Sequence, residues 1–269
     1  DIAAVVGMTE VNGKRFIVAN KTTNTFELSG IDSSSFTAYS SGGTAARVYE
    51  VVTPYAEADI NAIQFAQSAD TMYLTHPSYA PRKLTRTDHN NWTLTEITFI
   101  DGPYLDQNIT ATTLSCNATS GSSRTLTAST AIFNANHVGA IFSFLGGYVT
   151  CTAFVDTTNL TVTVNETLSG TGTTTEWSEG GWSTHRGFPS CVTFFEERLM
   201  FAGSTHQPQT LWGSVSGDFE NFKAGTGASD AFIFTIASNK VNVIRWLAPA
   251  SRLCIGTAGG EFTVTSTSD

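Results

Sequence analysis

The sequence predicts an all-β protein, and three observations carry the prediction. Only 14% of the 269 residues are charged, against roughly 25% in an average soluble domain, and Thr, Ser, Asn and Gly take up the difference. Apolar and polar residues alternate with period two between Gly, Asn and Asp turns, whereas no stretch sustains the three-four apolar spacing of an amphipathic helix. One strand grammar also recurs three times along the chain, the mark of a repeated sheet unit. With 41% hydrophobic and 11% aromatic residues, a chain of this length can bury roughly three quarters of its unfolded surface without disulfides.

Taken in order, residues 1–48 read as a small β-barrel module. Phe16 and Val18 on one strand face Phe26 and Leu28 on the next across "KTTN", and Asn12-Gly13 is expected to supply a tight hairpin turn. Residues 49–104 and 186–269 carry the repeat. In "INAIQFAQSADTMYLTHP", "SCVTFFEERLMFAGS" and "VNVIRWLAPASRLCIGTAGG", an apolar strand, a short polar or proline turn and a strand ending in small residues follow one another. The repetition outweighs the faint helical pattern of "AEADINAIQFAQSAD". Aligned, Ile63 and Phe65 match Val192 and Phe194, then Ile244 and Trp246. Met72-Tyr73-Leu74 matches Leu199-Met200-Phe201 and Leu253-Cys254-Ile255. Phe65, Phe194 and Trp246 are therefore expected at equivalent buried positions.

A third strand follows in each unit, within "RKLTRTDHNNWTLTEI", "QTLWGSVSGDFENFKAG" and "GEFTVTS". Asp88 and Asp218 are placed to bond backbone N–H groups two residues on and close a turn into a further strand. Such a unit is what a β-propeller blade looks like in sequence. Residues 105–185 interrupt the blades with a second small β-barrel, in which Val149, Cys151, Ala153 and Val155 alternate up to "DTTN" and Leu160, Val162 and Val164 alternate away. The predicted architecture is thus all-β, with propeller-like blade segments and small β-barrel modules. The chain opens on "DIAAVVGMTEVNG", without an initiator methionine, and closes on "GGEFTVTSTSD". Both ends lie in strand-like alternation, so the chain is expected to be part of a longer protein.

Several function classes are disfavoured. A net charge of -9 and a pI near 4.9 argue against a grip on nucleic acid, which needs Lys and Arg to neutralise phosphates. No apolar run approaches the roughly 20 residues of a membrane-spanning helix. Cys116, Cys151, Cys191 and Cys254 lack C-x-x-C spacing and read as buried, reduced thiols. The histidines at 76, 89, 137, 185 and 206 are scattered, so spacing supplies no metal site. No cofactor motif occurs, since the Gly-rich "SGTGTTTE" lacks the lysine of a phosphate-cradling loop.

Glu196-Glu197 with Asp218 and Glu220 is the carboxylate group that glycoside hydrolysis would require, but that chemistry needs two carboxyls about 5 to 10 Å apart in a cleft. Adjacent residues in a turn, matched by "QSAD" and "APAS" in the sister units, do not converge that way. The chain is expected not to be an enzyme. Tyr148, Trp177 and Trp182, assigned to loops of the second barrel, are the candidate ligand or partner contacts, because aromatic faces stack on sugars and on other proteins. Burial at the barrel end or at its seam with the blades is the competing reading for the two tryptophans.

The order of these segments carries a resemblance. A small barrel, "YEVVTPYAEADINAIQFAQSADTMYLTHPSYAPRKLTR", a second barrel, "FEERLMFAGSTHQPQTLWGSVSGDFENF" and "IASNKVNVIRWLAPASRLCIGTAGGEF" together resemble bacteriophage virion proteins related to the tail nozzle of short-tailed phages. "GMTEVNGKRF" and "NTFELSGIDSSSFTAYSSGG" are similar to the small β-barrel module named for the catalytic-cysteine half-domain of ubiquitin-activating enzymes. Residues 1–48 contain no cysteine, so that chemistry does not carry over. The resemblance implies a non-enzymatic virion protein, assembled in the bacterial cytoplasm with other phage tail proteins into a homo-oligomeric ring. DNA would pass through its channel without specific binding. An acidic wall is compatible with such a conduit, since Lys and Arg contacts would hold phosphates back. From another class, a surface or glycan-binding module is the alternative, with the barrels as its recognising parts.

Overall fold

The computed structural model describes residues 1–237 and 241–265. The protein is all-β, with 45% strand against 5% helix, and the helical segments among the described residues are short 3-10 turns. The chain divides into two compact units, Asp1–Val52 and Thr53–Asp269.

The first unit contains β1 (Ile2–Val6), β2 (Val18–Ala19), β3 (Glu27–Leu28) and β4 (Ser41–Ala45), paired β1 with β4 and β2 with β3. Val18 opposes Leu28, as the alternation suggested. Asn12-Gly13 departs from the expected hairpin. Asn12 ends a 3-10 turn over Thr9–Val11, and its side chain accepts from the Val5 N–H and donates to the Val5 carbonyl, both at 2.9 Å. A side chain that satisfies two strand backbone groups here takes the place of a two-residue turn. Val11 is the buried residue of this unit, while Ile17, Val18 and Phe26 are exposed.

The second unit opens with a 3-10 turn over Glu57–Ala62, where the sequence carried its faint helical pattern. An antiparallel meander follows, of β5 (Gln64–Ser68), β6 (Thr71–His76), β7 (Tyr79–Asp88) and β8 (Asn91–Glu96). Next come β9 (Leu114–Cys116), β10 (Gly121–Ala128), β11 (Ile141–Phe144), β12 (Gly147–Phe154), β13 (Asn159–Glu166) and β14 (Trp177–Glu179). They form one sheet in the order β14-β11-β12-β13-β10-β9. It curls into a half-barrel around Leu114, Leu126, Phe142, Val149, Leu160 and Val162, none more than 1% exposed. Val149 opposes Val164 and Cys151 opposes Val162, but a bulge between Cys151 and Ala153 ends the inward alternation early. Ala153 and Val155 consequently face solvent.

Two more meanders complete the unit: β15 (Cys191–Phe195), β16 (Arg198–Ala202), β17 (Thr210–Gly213) and β18 (Phe232–Thr235), then β19 (Ile244–Pro249), β20 (Leu253–Thr257) and β21 (Gly260–Val264). Successive strand residues point to opposite faces, and this alternation governs the packing. Val192, Leu199, Phe201 and Trp212 pack with Tyr73 of β6 and with Ile97, Trp182 and Phe222. Cys191, Met200, Ala202 and Leu211 pack on the other side with Ile244, Leu253 and Ile255. The β15–β18 sheet is therefore packed on both faces, between the β5–β8 sheet and the β19–β21 sheet, with β16 and β17 buried throughout and the edge strand β18 leaving Phe234 exposed. Their inner ends meet where the Gln64 amide donates to the Arg245 carbonyl at 2.7 Å and the Thr75 hydroxyl donates to the Ser190 carbonyl at 3.1 Å.

Strand pairing corrects the aligned repeat. Phe65 opposes Leu74, Val192 opposes Phe201 and Leu247 opposes Ile255. Phe65 thus matches Val192 and Leu247 rather than Phe194 and Trp246, while Met72-Tyr73-Leu74 matches Leu199-Met200-Phe201 as expected. The anticipated burial of three equivalent aromatics fails with this register: Phe65 is 62% exposed, Trp246 is 42% exposed and Phe194 is half-buried. Phe65 and Ala66 are consecutive, and Ala66 faces the β15–β18 sheet, which leaves Phe65 on the far face. Trp246 likewise lies away from the stack, over Gly256, where an added Cβ would come within 1.9 Å of the indole.

Asp88 accepts from the His89 N–H at 2.6 Å, one residue on, and Asp218 from the Asn221 side-chain amide at 3.1 Å, so neither makes the foreseen bond. Cys116, Cys151 and Cys191 are buried, Cys254 is half-buried, and all four are free thiols. Burial pushes the Cys151 thiol up to about 11. Residues 238–240 within "IASNK", and Ser266 at the end of "GEFTVTS", lie outside the described residues.

Two-sided burial predicts very unequal mutational costs. Trp212→Ala is expected to cost about 3 to 5 kcal/mol through transfer and cavity terms, and Phe65→Ala no more than about 1 kcal/mol. Denaturant midpoints of the two variants against the parent protein measure both.

Candidate functional site

The three aromatics singled out by sequence sit on or beside strands rather than free in loops. Tyr148 is half-buried on β12, and its hydroxyl donates to the Ile100 carbonyl at 2.5 Å. Trp177, on the edge strand β14, packs against the half-barrel core, and its indole N–H donates to the Thr112 carbonyl at 2.9 Å. Trp182 is 8% exposed, edge-on to Phe99, Phe201, Trp212 and Phe222.

Two clefts border these residues. One, of about 290 Å³, lies between the β5–β8 sheet and the half-barrel, and brings Tyr148 and Trp182 together with Pro81, Ile97, Phe99 and Pro103. The other, of about 420 Å³, is bordered by Trp177, Ser143, Gln107 and Glu176 at the β11–β14 edge of the half-barrel. Tyr148 and Trp182 thus share a cleft, and Trp177 belongs to a different one.

Glu196, Glu197, Asp218 and Glu220 line neither cleft. Glu196 and Glu197 form the two-residue β15–β16 turn with φ of 47° and 58°, the left-handed backbone of a tight hairpin. Glu220 accepts from Lys83 Nζ at 2.7 and 2.8 Å and from the Tyr73 hydroxyl at 3.2 Å, tying the 215–223 segment to the first meander.

A third arrangement was not legible in sequence. His137 ends a 3-10 turn over Ala135–His137 that Asn134 caps, Glu179 closes β14, and His185 sits in the Ser183–Gly187 turn just beyond. One ligand-type atom from each lies within 4.8 Å of the other two. The imidazoles of His137 and His185 stack with centroids 4.1 Å apart, and His206 stacks on His185 at 6.0 Å. Glu179 is 6% exposed. Its Oε2 accepts from the Arg186 guanidinium. Its Oε1 has no hydrogen-bond partner and faces His137 Nε2 at 3.6 Å. Burial pushes the pKa of His137 down, against the opposing pull of Glu179. Burial also lowers His185, with His137 next to it adding to the effect. Both rings are therefore held towards their neutral forms, in which one imidazole nitrogen accepts; Nδ1 of His137 accepts from the Asn134 N–H at 3.0 Å.

His137 and His185, 48 residues apart in sequence, meet because β14 pairs with β11, Phe142 opposing Glu179. No short motif announces that pairing. A scan against protein-family models finds no match, and a comparison with curated proteins finds none either.

Arg186 is the cation that balances the buried Glu179 carboxylate. Its removal in Arg186→Ala is expected to destabilise the protein by about 3 kcal/mol, because an uncompensated buried charge remains. Thermal or denaturant unfolding of the variant reads the loss.

Proposed function

We propose that this chain is a structural, non-enzymatic component of a bacteriophage tail, in which the three meanders are propeller blades of a nozzle around the exiting genome. The observation that carries this reading is the sense of stacking. Phe65, Val192 and Leu247 are equivalent in register. Val192 faces the preceding sheet, Leu247 does the same, and Phe65 faces the side on which a preceding sheet would stand. Blades stacked in one sense leave a front face on the first and a back face on the last. Further blades, or blades of neighbouring copies, close such a stack into a ring. In this reading the curled β9–β14 sheet is a small barrel completed by the segment before β14, where Thr174 exchanges two backbone hydrogen bonds with Leu114, both at 2.9 Å. Residues 1–48 form a second barrel. The resemblance of the blade segments to nozzle proteins and the net charge of -9 agree with a conduit that does not retain phosphates.

Light scattering and electron micrographs of the protein, alone and mixed with its tail partners, test the assembly. A closed cyclic oligomer is expected in at least the mixture, and a protein that stays monomeric in both overturns the nozzle reading. The non-enzymatic part has its own test, for Glu196→Gln combined with Glu197→Gln is expected to leave virion infectivity and any polysaccharide-cleaving activity unchanged. The cleft shared by Tyr148 and Trp182 favours a second reading, a surface module that binds glycan, which binding on a glycan array would support.

A further inference from the structure

We propose that His137, Glu179 and His185 form a binding site for one divalent transition-metal ion of the zinc class. The inference is independent of the nozzle reading, and it begins with the donor set. Two imidazoles and a carboxylate are borderline ligands that suit zinc and its neighbours, whereas calcium and magnesium take oxygen shells. The three ligand-type atoms already lie within 4.8 Å of one another. Tetrahedral zinc, with bonds of about 2.0 to 2.2 Å, brings ligand atoms to roughly 3.3 to 3.5 Å, so contraction by about an ångström closes the site. His185, in the turn between Ser183 and Gly187, is the ligand that must move.

A second, separate observation points the same way. Glu179 Oε1 is buried without a hydrogen-bond partner and is aimed at His137 Nε2. A buried carboxylate oxygen normally finds a donor, and a metal ion between these two atoms would supply the missing partner. Arg186 holds Oε2, which leaves a single oxygen to ligate. The outer groups lie at hydrogen-bond distance. His137 Nδ1 accepts from the Asn134 N–H at 3.0 Å and lies 3.2 Å from the Asn134 carbonyl, so ligation through Nε2 requires the ring proton to move to Nδ1, where that carbonyl can accept it, the usual support of a ligating histidine. The Asn134 amide reaches His185 Nδ1 at 3.2 Å. A bound ion would fasten the half-barrel, through His137 and Glu179, to the turn that leads into β15.

Titration calorimetry with zinc chloride on the intact chain, and the visible spectrum of the same chain loaded with cobalt(II), test the site. One equivalent of zinc per chain is expected, undisturbed by millimolar magnesium, with cobalt bands of a four-coordinate nitrogen and oxygen shell. His137→Gln and His185→Gln should each weaken binding at least tenfold, and His89→Gln, at a histidine in another part of the fold, should not. Should His137→Gln fail to fold, His185→Gln and the cobalt spectrum of the parent chain decide. Absence of stoichiometric zinc uptake by the parent chain, or uptake that survives His185→Gln unchanged, overturns the proposal.

Discussion

The burial of β16 and β17 on both faces is the constraint on which the second unit depends. Every residue of Arg198–Ala202 and Thr210–Gly213 is buried, so these strands need an apolar neighbour on each side. A single sheet with one wet face would strand either Phe201 and Trp212 or Met200 and Leu211 in water. Each such side chain is worth about 1.5 to 3 kcal/mol when removed from solvent, and the two flanking meanders are held by that demand. Arg198 is the charged residue among those of these two strands. Its guanidinium donates to the carbonyls of Ser214, Ala228, Ser229 and Asp230 at 2.5 to 3.3 Å, so the buried cation is satisfied by backbone. The same bonds draw the long 214–231 excursion back to the start of β18.

The outer meanders follow from the central one. Each has one face pressed against β15–β18 and one face free of it, which is why Ala66 and Leu247 belong to cores while Phe65 and Trp246 do not. Trp246 limits its exposure by lying across Gly256, a position at which only hydrogen leaves room for the ring. Ion pairs knit the stack to its surroundings. Lys83 and Glu220 join the first meander to the 215–223 segment, and Lys223 joins that segment to Asp101 and to Glu166 of β13. Hydrogen bonds donated to both carboxylates raise the Lys223 pKa, the one to Asp101 contributing most. It therefore stays a cation wherever its partners are anions.

The histidine cluster sits where the half-barrel gives way to the second meander, and its chemistry derives from that position. β14 pairs with β11 on one side and accepts from the Leu105 and Asn108 N–H groups on the other, so the residue closing it, Glu179, lies in the interior at 6% exposure. Arg186 from the turn that follows compensates the charge on one oxygen only. The remaining oxygen stays without a hydrogen-bond partner beside the two imidazoles, a concentration of polar groups of the kind found at functional sites.

Much of the secondary structure was legible in the sequence because it rests on local physics. Period-two alternation identified the hairpin of β12 and β13; the β15–β16 turn fell at Glu196-Glu197, and the sister turns overlap "QSAD" and "APAS" in their second halves, with the last running on to Arg252. The second strands of the meanders aligned correctly because dense apolar triplets such as Leu199-Met200-Phe201 admit one match. The first strands did not, since alternation is unchanged by a shift of two and only cross-strand pairing measures where Phe65 stands against Leu74. The faint helix of "AEADINAIQFAQSAD" divided into a 3-10 turn and a strand at Ile63, a boundary that neither pattern marks. Burial of Trp182, exposure of Trp246 and the meeting of His137, Glu179 and His185 depend on which sheet faces which, and those contacts join residues far apart in the chain. The sequence by itself determined that this protein is built of β-strands and where many of its turns fall, because backbone preference and alternation act between near neighbours. The tertiary structure alone decided which faces are dry and which titratable groups share a pocket, because burial belongs to a pair of surfaces and not to either strand.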